Sequence, residues 1–398
     1  MTAMRILTFT TLYPNAAQPQ HGVFVENRLR KLVASGAVEA RVLAPVPWFP
    51  FASPRFGPYA AFARAPRAEV RHGIAIDHPR YPVIPKLGMT LTPGFLYHSA
   101  ARALRGLIAA GERFDLIDAH YFYPDGVAAA RLGRAFDLPV AITGRGTDLN
   151  LIPHENAAAR RMIHNAAMRA DGLIVVARAL KTRLAALGVP EARIEVLRNG
   201  VDLDLFRPRD RARIRADLGL DGPVLLSVGN LVALKGHELM IEALARLAGH
   251  TLLIAGAGPE EPRLKALGRR LGVPSRLRFL GRIAHEALPE IYSAADLLVL
   301  ASSREGWPNV LLEAMACGTP VVATRVGGVA EIVAAPAAGR VVETRTAEAL
   351  AEGIRALLAA PPSRAETRAY AEDFGWEATT RGQIALFERI LARRRGTG

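Results

Sequence analysis

The chain has 398 residues, is half hydrophobic, and carries a single cysteine and a net charge of +14. That length is too great for one ordinary core and suits two domains. Cys317 alone excludes an internal disulfide and a thiolate-rich zinc site, which fits a reducing, cytoplasmic compartment.

The first apolar run, Arg5–Thr10, is short, and Tyr13, Pro14 and Asn15 follow at once, so it reads as a buried strand and not as a signal peptide. No run of about 18 apolar residues occurs, which excludes a spanning helix. Short apolar runs then alternate with longer helical patterns, the mark of repeated βα units and an α/β, doubly wound fold. Strands are expected at Ala40–Ala44, Leu116–Ala119, Val140–Thr143 and Gly172–Val176, with helices at Val23–Ser35, Leu96–Ala110, Asp125–Phe136, Ala157–Arg169 and Ala177–Leu187. Pro45–Pro93 is proline-rich and reads as a loop-rich excursion holding one short strand pair.

The pattern pauses at Arg198-Asn199-Gly200-Val201-Asp202, where a domain linker is expected. This gives a first domain over 1–198 and a second over 199–376, the latter with strands at Val224–Val228, Thr251–Ala255, Leu277–Phe279, Leu297–Leu300, Val321–Thr324 and Gly339–Val342. Two such domains are expected to face a cleft, with ligands at the carboxyl ends of the strands.

The charge is unevenly spread. Residues 1–199 carry 25 basic and 14 acidic side chains, residues 200–380 come to −1, and the last eighteen add +4. Either these are arginines on solvated faces or the first half presents a surface to anionic lipid or an anionic acceptor. No recognised nucleic-acid motif accompanies them, so nucleic acid is not expected as a partner.

The densest chemistry runs from Ser302 to Val322. Strand Leu297–Leu300 enters a turn holding Glu305, Gly306, Trp307 and Pro308, and Pro308 suits the first position of a helix. The free backbone donors around Asn309, Val310 and Leu311 and the positive end of the helix dipole make an anion site suited to a diphosphate. Glu305 stands before that helix and Glu313 within it. One carboxylate can reach sugar hydroxyls, and the other can accept two bonds from a ribose diol. Upstream, Lys235 lies in the glycine-flanked loop Val228–His237, where it suits a phosphate as a point charge. The Gly256-Ala257-Gly258 turn resembles a phosphate-binding glycine turn but lacks full dinucleotide spacing.

The Ser302–Val322 segment resembles the Glu-x7-Glu motif of glycosyltransferase family 4 and its trailing Glu-Ala-Met-Ala-x-Gly-x-Pro-Val-Val-Ala run. The likeness extends over nearly the whole chain. It implies the GT-B architecture, two Rossmann-like domains facing a cleft, with the C-terminal helix 377–398 crossing back to the first. It implies that Glu305 contacts the donor sugar, Glu313 the nucleotide ribose and Lys235 the diphosphate. It also implies that Arg282 and Ile283 lie at the nucleobase, that Gly22 lets backbone approach the diphosphate, and that His120 projects into the cleft to touch the transferred sugar. His120, Lys235 and Glu305 are thus the candidate catalytic residues. Where the family usually has an arginine the chain has Asn230, and Arg145, Arg198 or Arg325 are the candidates to replace it. Arg145 and Asp148, in Thr143–Asp148, either bind the acceptor or close the cleft, or else form a tight structural turn.

The expected activity is retaining transfer of a sugar from a nucleotide diphosphate-sugar, uridine before guanosine, to a hydroxyl of a glycan or lipid-linked acceptor in cell-surface polysaccharide or glycolipid synthesis. No Asp-x-Asp stands in a donor loop, so no metal and no other cofactor is expected. The enzyme is expected in the cytoplasm or peripherally at the inner membrane face. The rival readings are a nucleotide-sugar epimerase and a non-catalytic carbohydrate- or nucleotide-binding protein on the same scaffold.

Overall fold

The computed structural model describes residues 3–84 and 89–396; expectations that reach residues 1–2, 85–88 and 397–398 lie there outside the described residues. The chain forms two compact units. One holds the residues up to Asn199 together with the C-terminal helix Glu377–Arg395, and the other runs from Gly200 to Trp376.

The first unit is built on strands β1 (Met4–Phe9), β2 (Val38–Leu43), β4 (Ala68–Arg71), β5 (Ile74–Asp77), β7 (Leu116–His120), β8 (Val140–Gly144), β9 (Gly172–Val175) and β10 (Ile194–Val196), while β3 (Val46–Pro47) and β6 (Arg80–Tyr81) form a separate pair. The eight-stranded sheet has the order β10-β9-β8-β7-β1-β2-β5-β4, with only β4 antiparallel to its neighbour. Strands β7, β8 and β9 are buried along their whole length, as continuous apolar runs in a parallel sheet must be. The helix Val23–Ala34 turns Val25, Leu29 and Leu32 onto the same core that receives Leu386, Phe387 and Ile390 of the C-terminal helix. Burying those three side chains contributes roughly 5 kcal/mol or more before entropy is counted.

Two elements depart from expectation. The proline-rich excursion is more ordered than a loop: it holds β3 to β6, the helix Pro58–Arg64 and a hairpin whose second strand pairs with β2. The helix expected from Asp125 begins at Val127, because Phe122–Gly126 makes a wider turn with Tyr123 extended.

The second unit has six strands, β11 (Val224–Val228), β12 (Thr251–Ala255), β13 (Leu277–Gly281), β14 (Leu297–Leu300), β15 (Val321–Thr324) and β16 (Gly339–Val342). All are parallel, in the order β13-β12-β11-β14-β15-β16. In this order the chain winds outward from β11 in one direction, then from β14 in the other. The loops after β11 and β14 therefore diverge and leave a crevice at their carboxyl ends, the usual ligand position in such sheets. In the first unit the reversal falls between β1 and β7. Among the described residues no helix is long and apolar enough to cross a membrane.

Candidate functional site

The reversal in the second unit brings two distant loops together. After β11, Gly236 adopts φ 68° and caps the helix His237–Ala245; a Cβ there would stand 2.1 Å from the Ala301 carbonyl oxygen at the end of β14. Only glycine permits this approach. It seats Lys235 beside the β14 loop, where its Nζ lies 2.6 Å from Glu305 Oε1. Ser302 Oγ donates to the same oxygen at 2.7 Å. Lys235, expected as a point charge for a phosphate, is paired with Glu305, and a phosphate reaching it must compete with that carboxylate.

His237 locks the loop from behind. Its Nε2 donates to the Asn230 carbonyl oxygen at 3.3 Å and its Nδ1 pairs with Ser227 Oγ at 3.0 Å. Burial pushes its pKa down to about 4, so the ring is neutral. The Gly256 and Gly258 turn packs on this loop: Cβ atoms there would meet Gly229 O at 1.8 Å and Leu231 O at 2.4 Å.

Beyond Glu305, Trp307 is buried against Phe374, their ring centroids 6.5 Å apart. Gly306 accepts the Gly328 N–H at 3.0 Å. Pro308 is not the first helical residue but the cap, with extended backbone, and the helix runs Asn309–Ala316. Leu311 is buried in the core and its N–H donates to the Pro308 carbonyl at 3.1 Å, while Asn309 and Val310 are half-exposed at the first turn. Glu313 is buried; Tyr292 Oη donates to its Oε2 at 2.7 Å, and His285 Nε2 lies 3.6 Å from its Oε1. Burial works against a charged His285, but Glu313 outweighs it and raises the imidazole pKa. Arg282 and Asn230 are exposed and Ile283 half-buried, at the ends of β13 and β11.

The first unit's reversal is more deeply packed. His120 ends β7 but does not project outward: it is 1% exposed, and both ring nitrogens are engaged. Arg145 Nη2 can only donate, so Nδ1 (2.6 Å) accepts, and Nε2 carries the proton toward Asp118 Oδ2 at 3.1 Å. Burial takes the His120 pKa down to about 4. The chain of bonds continues: Gln383 Nε2 donates to Asp118 Oδ2 at 2.9 Å, Arg28 Nε to Gln383 Oε1 at 2.7 Å, and Arg145 Nη1 to Asn199 Oδ1 at 2.8 Å.

Asp148 accepts the backbone N–H groups of Phe122, Arg145 and Gly146 at 2.7–3.1 Å, which makes it the anchor of a structural turn and not an acceptor ligand. Gly22 has φ 73°, and a Cβ would lie 2.3 Å from the Leu12 carbonyl, so the backbone it admits is its own chain. Of the candidates to replace the missing arginine, Arg145 is buried in this network and Arg325 is held bidentately by Glu343 at 2.5 and 2.6 Å. Neither presents an unengaged guanidinium.

Several residues escaped the sequence reading: Ser302, Ser227, His237, Tyr292 and His285 around the second site, and Asp118, Asp125, Gln383 and Arg28 in the first. Asp125 accepts the Thr11 N–H at 2.7 Å and the hydroxyls of Thr10 and Thr11, and burial raises its pKa to about 7. Only His237 had a local signal, its place just after the glycine-flanked lysine. Among the described residues no group of three or more His, Cys, Asp or Glu side chains is placed to hold a metal ion.

Comparison with known proteins returns the family described as Glycosyl transferases group 1 over residues 209–374 and Glycosyltransferase Family 4 over residues 22–205. A D-inositol 3-phosphate glycosyltransferase of Mycobacteroides abscessus is 38% identical, but the match spans only about half of each chain, 56% of this one and 53% of that one. A second, from Catenulispora acidiphila, is 29% identical over 98% of this chain and 97% of its own. Among solved structures, sucrose-phosphate synthase of Thermosynechococcus elongatus superposes with a TM-score of 0.82 at 23% identity, covering 98% and 100% of the two chains. Anabaena HepE, solved in complex with UDP-glucose, gives 0.73 at 23% identity over 96% and 98%. These likenesses are ones of fold, and the fold is GT-B.

Proposed function

The chain belongs to glycosyltransferase family 4, and from that premise we propose that it transfers a sugar from a nucleotide diphosphate-sugar to an alcohol with retention of anomeric configuration. The observation that carries this reading is the 2.6 Å Lys235–Glu305 contact at the β11/β14 reversal, directly before the helix Asn309–Ala316. It sets a cation, a carboxylate and a helix N-terminus around one point.

A donor diphosphate entering there draws Lys235 away from Glu305. The ammonium and the first-turn N–H groups then stabilise the charge that builds on the leaving diphosphate, where electrostatic preorganisation lowers the barrier most. The freed Glu305 accepts a hydrogen bond from a sugar hydroxyl, which orients the anomeric carbon. Glu313, held by Tyr292, accepts from the ribose diol. The acceptor hydroxyl attacks from the side of the leaving group and passes its proton to a donor phosphate oxygen. The leaving-group charge is met by these groups, with no divalent cation and no other cofactor required.

Uridine diphosphate-sugars are the first choice of donor, which agrees with the UDP-glucose bound by HepE. The acceptor is a glycan or lipid-linked alcohol in cell-surface polysaccharide or glycolipid synthesis. The positive first unit suits work at the anionic inner face of a membrane.

The test is a thermal-shift panel of nucleotides and nucleotide-sugars, with and without chelator. A ligand at about 100 times its dissociation constant adds about 2.7 kcal/mol to the native state. Stabilisation by one nucleoside diphosphate that chelator does not change supports the reading; a flat panel contradicts it.

A further inference from the structure

Ten large hydrophobic side chains are exposed among the described residues, and eight of them fall between positions 48 and 91. The topology brings four of them to one end of a strand pair. Strands β3 and β6 run parallel, Val46 beside Arg80 and Pro47 beside Tyr81, and the Trp48 N–H extends the ladder to Tyr81 O at 2.7 Å. Both chains therefore leave this pair from the same end. One carries Trp48 and Phe51; the other carries Val83 and Ile84.

The first of these segments folds into a cluster of rings on the surface. Phe49 packs against Phe56 and Tyr59 with centroids 5.6 Å from each, and Phe51 stacks on Phe56 at 5.0 Å and 16°. Despite these mutual contacts Phe51 and Tyr59 remain 52% and 57% exposed, and Trp48, beside Phe49 in the chain, is 58% exposed. Contiguous exposure of this kind marks an interaction surface more often than chance.

Charge says which partner. Between Trp48 and Ala68 there are three arginines and no acidic residue. Arg55, Arg64 and Arg67 are all exposed, and Arg55 lies over the Phe56 ring at 4.9 Å. The next acid, Glu69, is taken by His78 Nε2 at 2.8 Å. A sugar-stacking platform needs carboxylate or amide groups beside its rings to accept from hydroxyls, and this stretch has no Asp, Glu, Asn or Gln. Amphipathic rings interleaved with cations instead match the headgroup layer of an anionic bilayer.

We propose that this face docks the protein on a bilayer containing anionic lipid, with Trp48, Phe51 and Tyr59 entering the headgroup layer and the three arginines meeting lipid phosphates. The inference rests on the membrane-face reading given above and names the surface that performs it.

Trp48 makes the test specific, because Trp307 and Trp376, the other two tryptophans, are only 6% and 4% exposed. The full chain is mixed with vesicles of phosphatidylcholine, alone or with phosphatidylglycerol, with and without brominated acyl chains. Expected are co-sedimentation with the anionic vesicles, a blue shift of the emission and quenching by bromine. The double variant Phe51→Ser, Tyr59→Ser should lose about ten-fold or more in vesicle affinity, with its melting temperature and nucleoside diphosphate binding unchanged. Anionic vesicles that bind wild type and variant equally, without quenching, overturn this face while leaving charge-driven membrane binding standing. Absence of binding to any vesicle overturns both. Quenching of Trp48 by soluble glycans, with none by brominated lipid, assigns the face to sugar and overturns the proposal.

Discussion

Lys235 and Glu305 lie 70 positions apart and meet at 2.6 Å, sharing Glu305 Oε1 with the hydroxyl of Ser302. The pair is partly buried, with the two side chains 24% and 11% exposed, so the attraction is stronger than on an open surface and the cation is held ready at a fixed point.

Replacing Glu305 by Gln removes the carboxylate that competes with a phosphate for Lys235. Nucleoside diphosphate affinity should rise, by about 3- to 10-fold for a gain of roughly 1 kcal/mol. Turnover should fall by about 100-fold or more, since the sugar hydroxyl then meets a neutral amide oxygen in place of a carboxylate. Calorimetric titration beside steady-state rates checks both; a parallel fall in affinity and rate removes the competition from the account.

Gly236→Ala should destabilise the protein by about 2–4 kcal/mol, through a strained φ and a Cβ 2.1 Å from the Ala301 carbonyl oxygen. Urea unfolding measures it. Because that close approach holds Lys235 against Glu305, residual folded protein should also bind nucleotide more weakly.

His237 makes stability depend on pH. Its pKa is near 6.5 unfolded and about 4 folded, so between those values the unfolded chain takes a proton that the folded chain refuses. Its contribution is present above about 6.5 and is lost as pH falls toward 4, by roughly 3 kcal/mol in full. His120, lowered to about 4, has the same sign, whereas Asp125, raised to about 7, has the opposite one, its stabilisation present below its unfolded value and lost as pH rises through 7. His237→Gln keeps a donor for the Asn230 carbonyl. It should flatten the decline in melting temperature between pH 6.5 and 4 relative to wild type, and parallel curves would contradict the assignment.

Gln383→Leu should cost about 2–4 kcal/mol, because it takes one hydrogen bond from each of two buried charges, leaving Asp118 with His120 and Arg28 with the Leu197 carbonyl. One atom of each, Asp118 Oδ1 and Arg28 Nη2, already has no hydrogen-bond partner. Denaturant unfolding at neutral pH reads this directly.

What was legible in the sequence follows from physics that is local. Strands β11, β12, β14 and β15 announce themselves as short apolar runs because an inner parallel strand is buried on both faces. The segment from Glu305 to Glu313 was legible because a turn, a cap and a helix start lie within nine residues. Partners distant in sequence were not. Nothing near Lys235 says that Glu305 will neutralise it, and nothing near Arg28 points to Gln383, 355 positions on. His120 is an instance: its place at a strand end was visible, but its engagement by Arg145, 25 positions on, depends on β7 pairing with β8. The proline-rich excursion was legible only in part for the same reason, since β5 joins the main sheet by pairing with β2, distant in sequence.

The central claim is that a nucleotide diphosphate is held at Lys235. Calorimetric titration of the full chain with uridine diphosphate, beside Lys235→Ala, tests it most directly. The account predicts one site in the wild type and about 30-fold weaker binding in the variant, for a loss of about 2 kcal/mol, with the ligand-free melting temperature little changed. Equal affinity in the two proteins would contradict it.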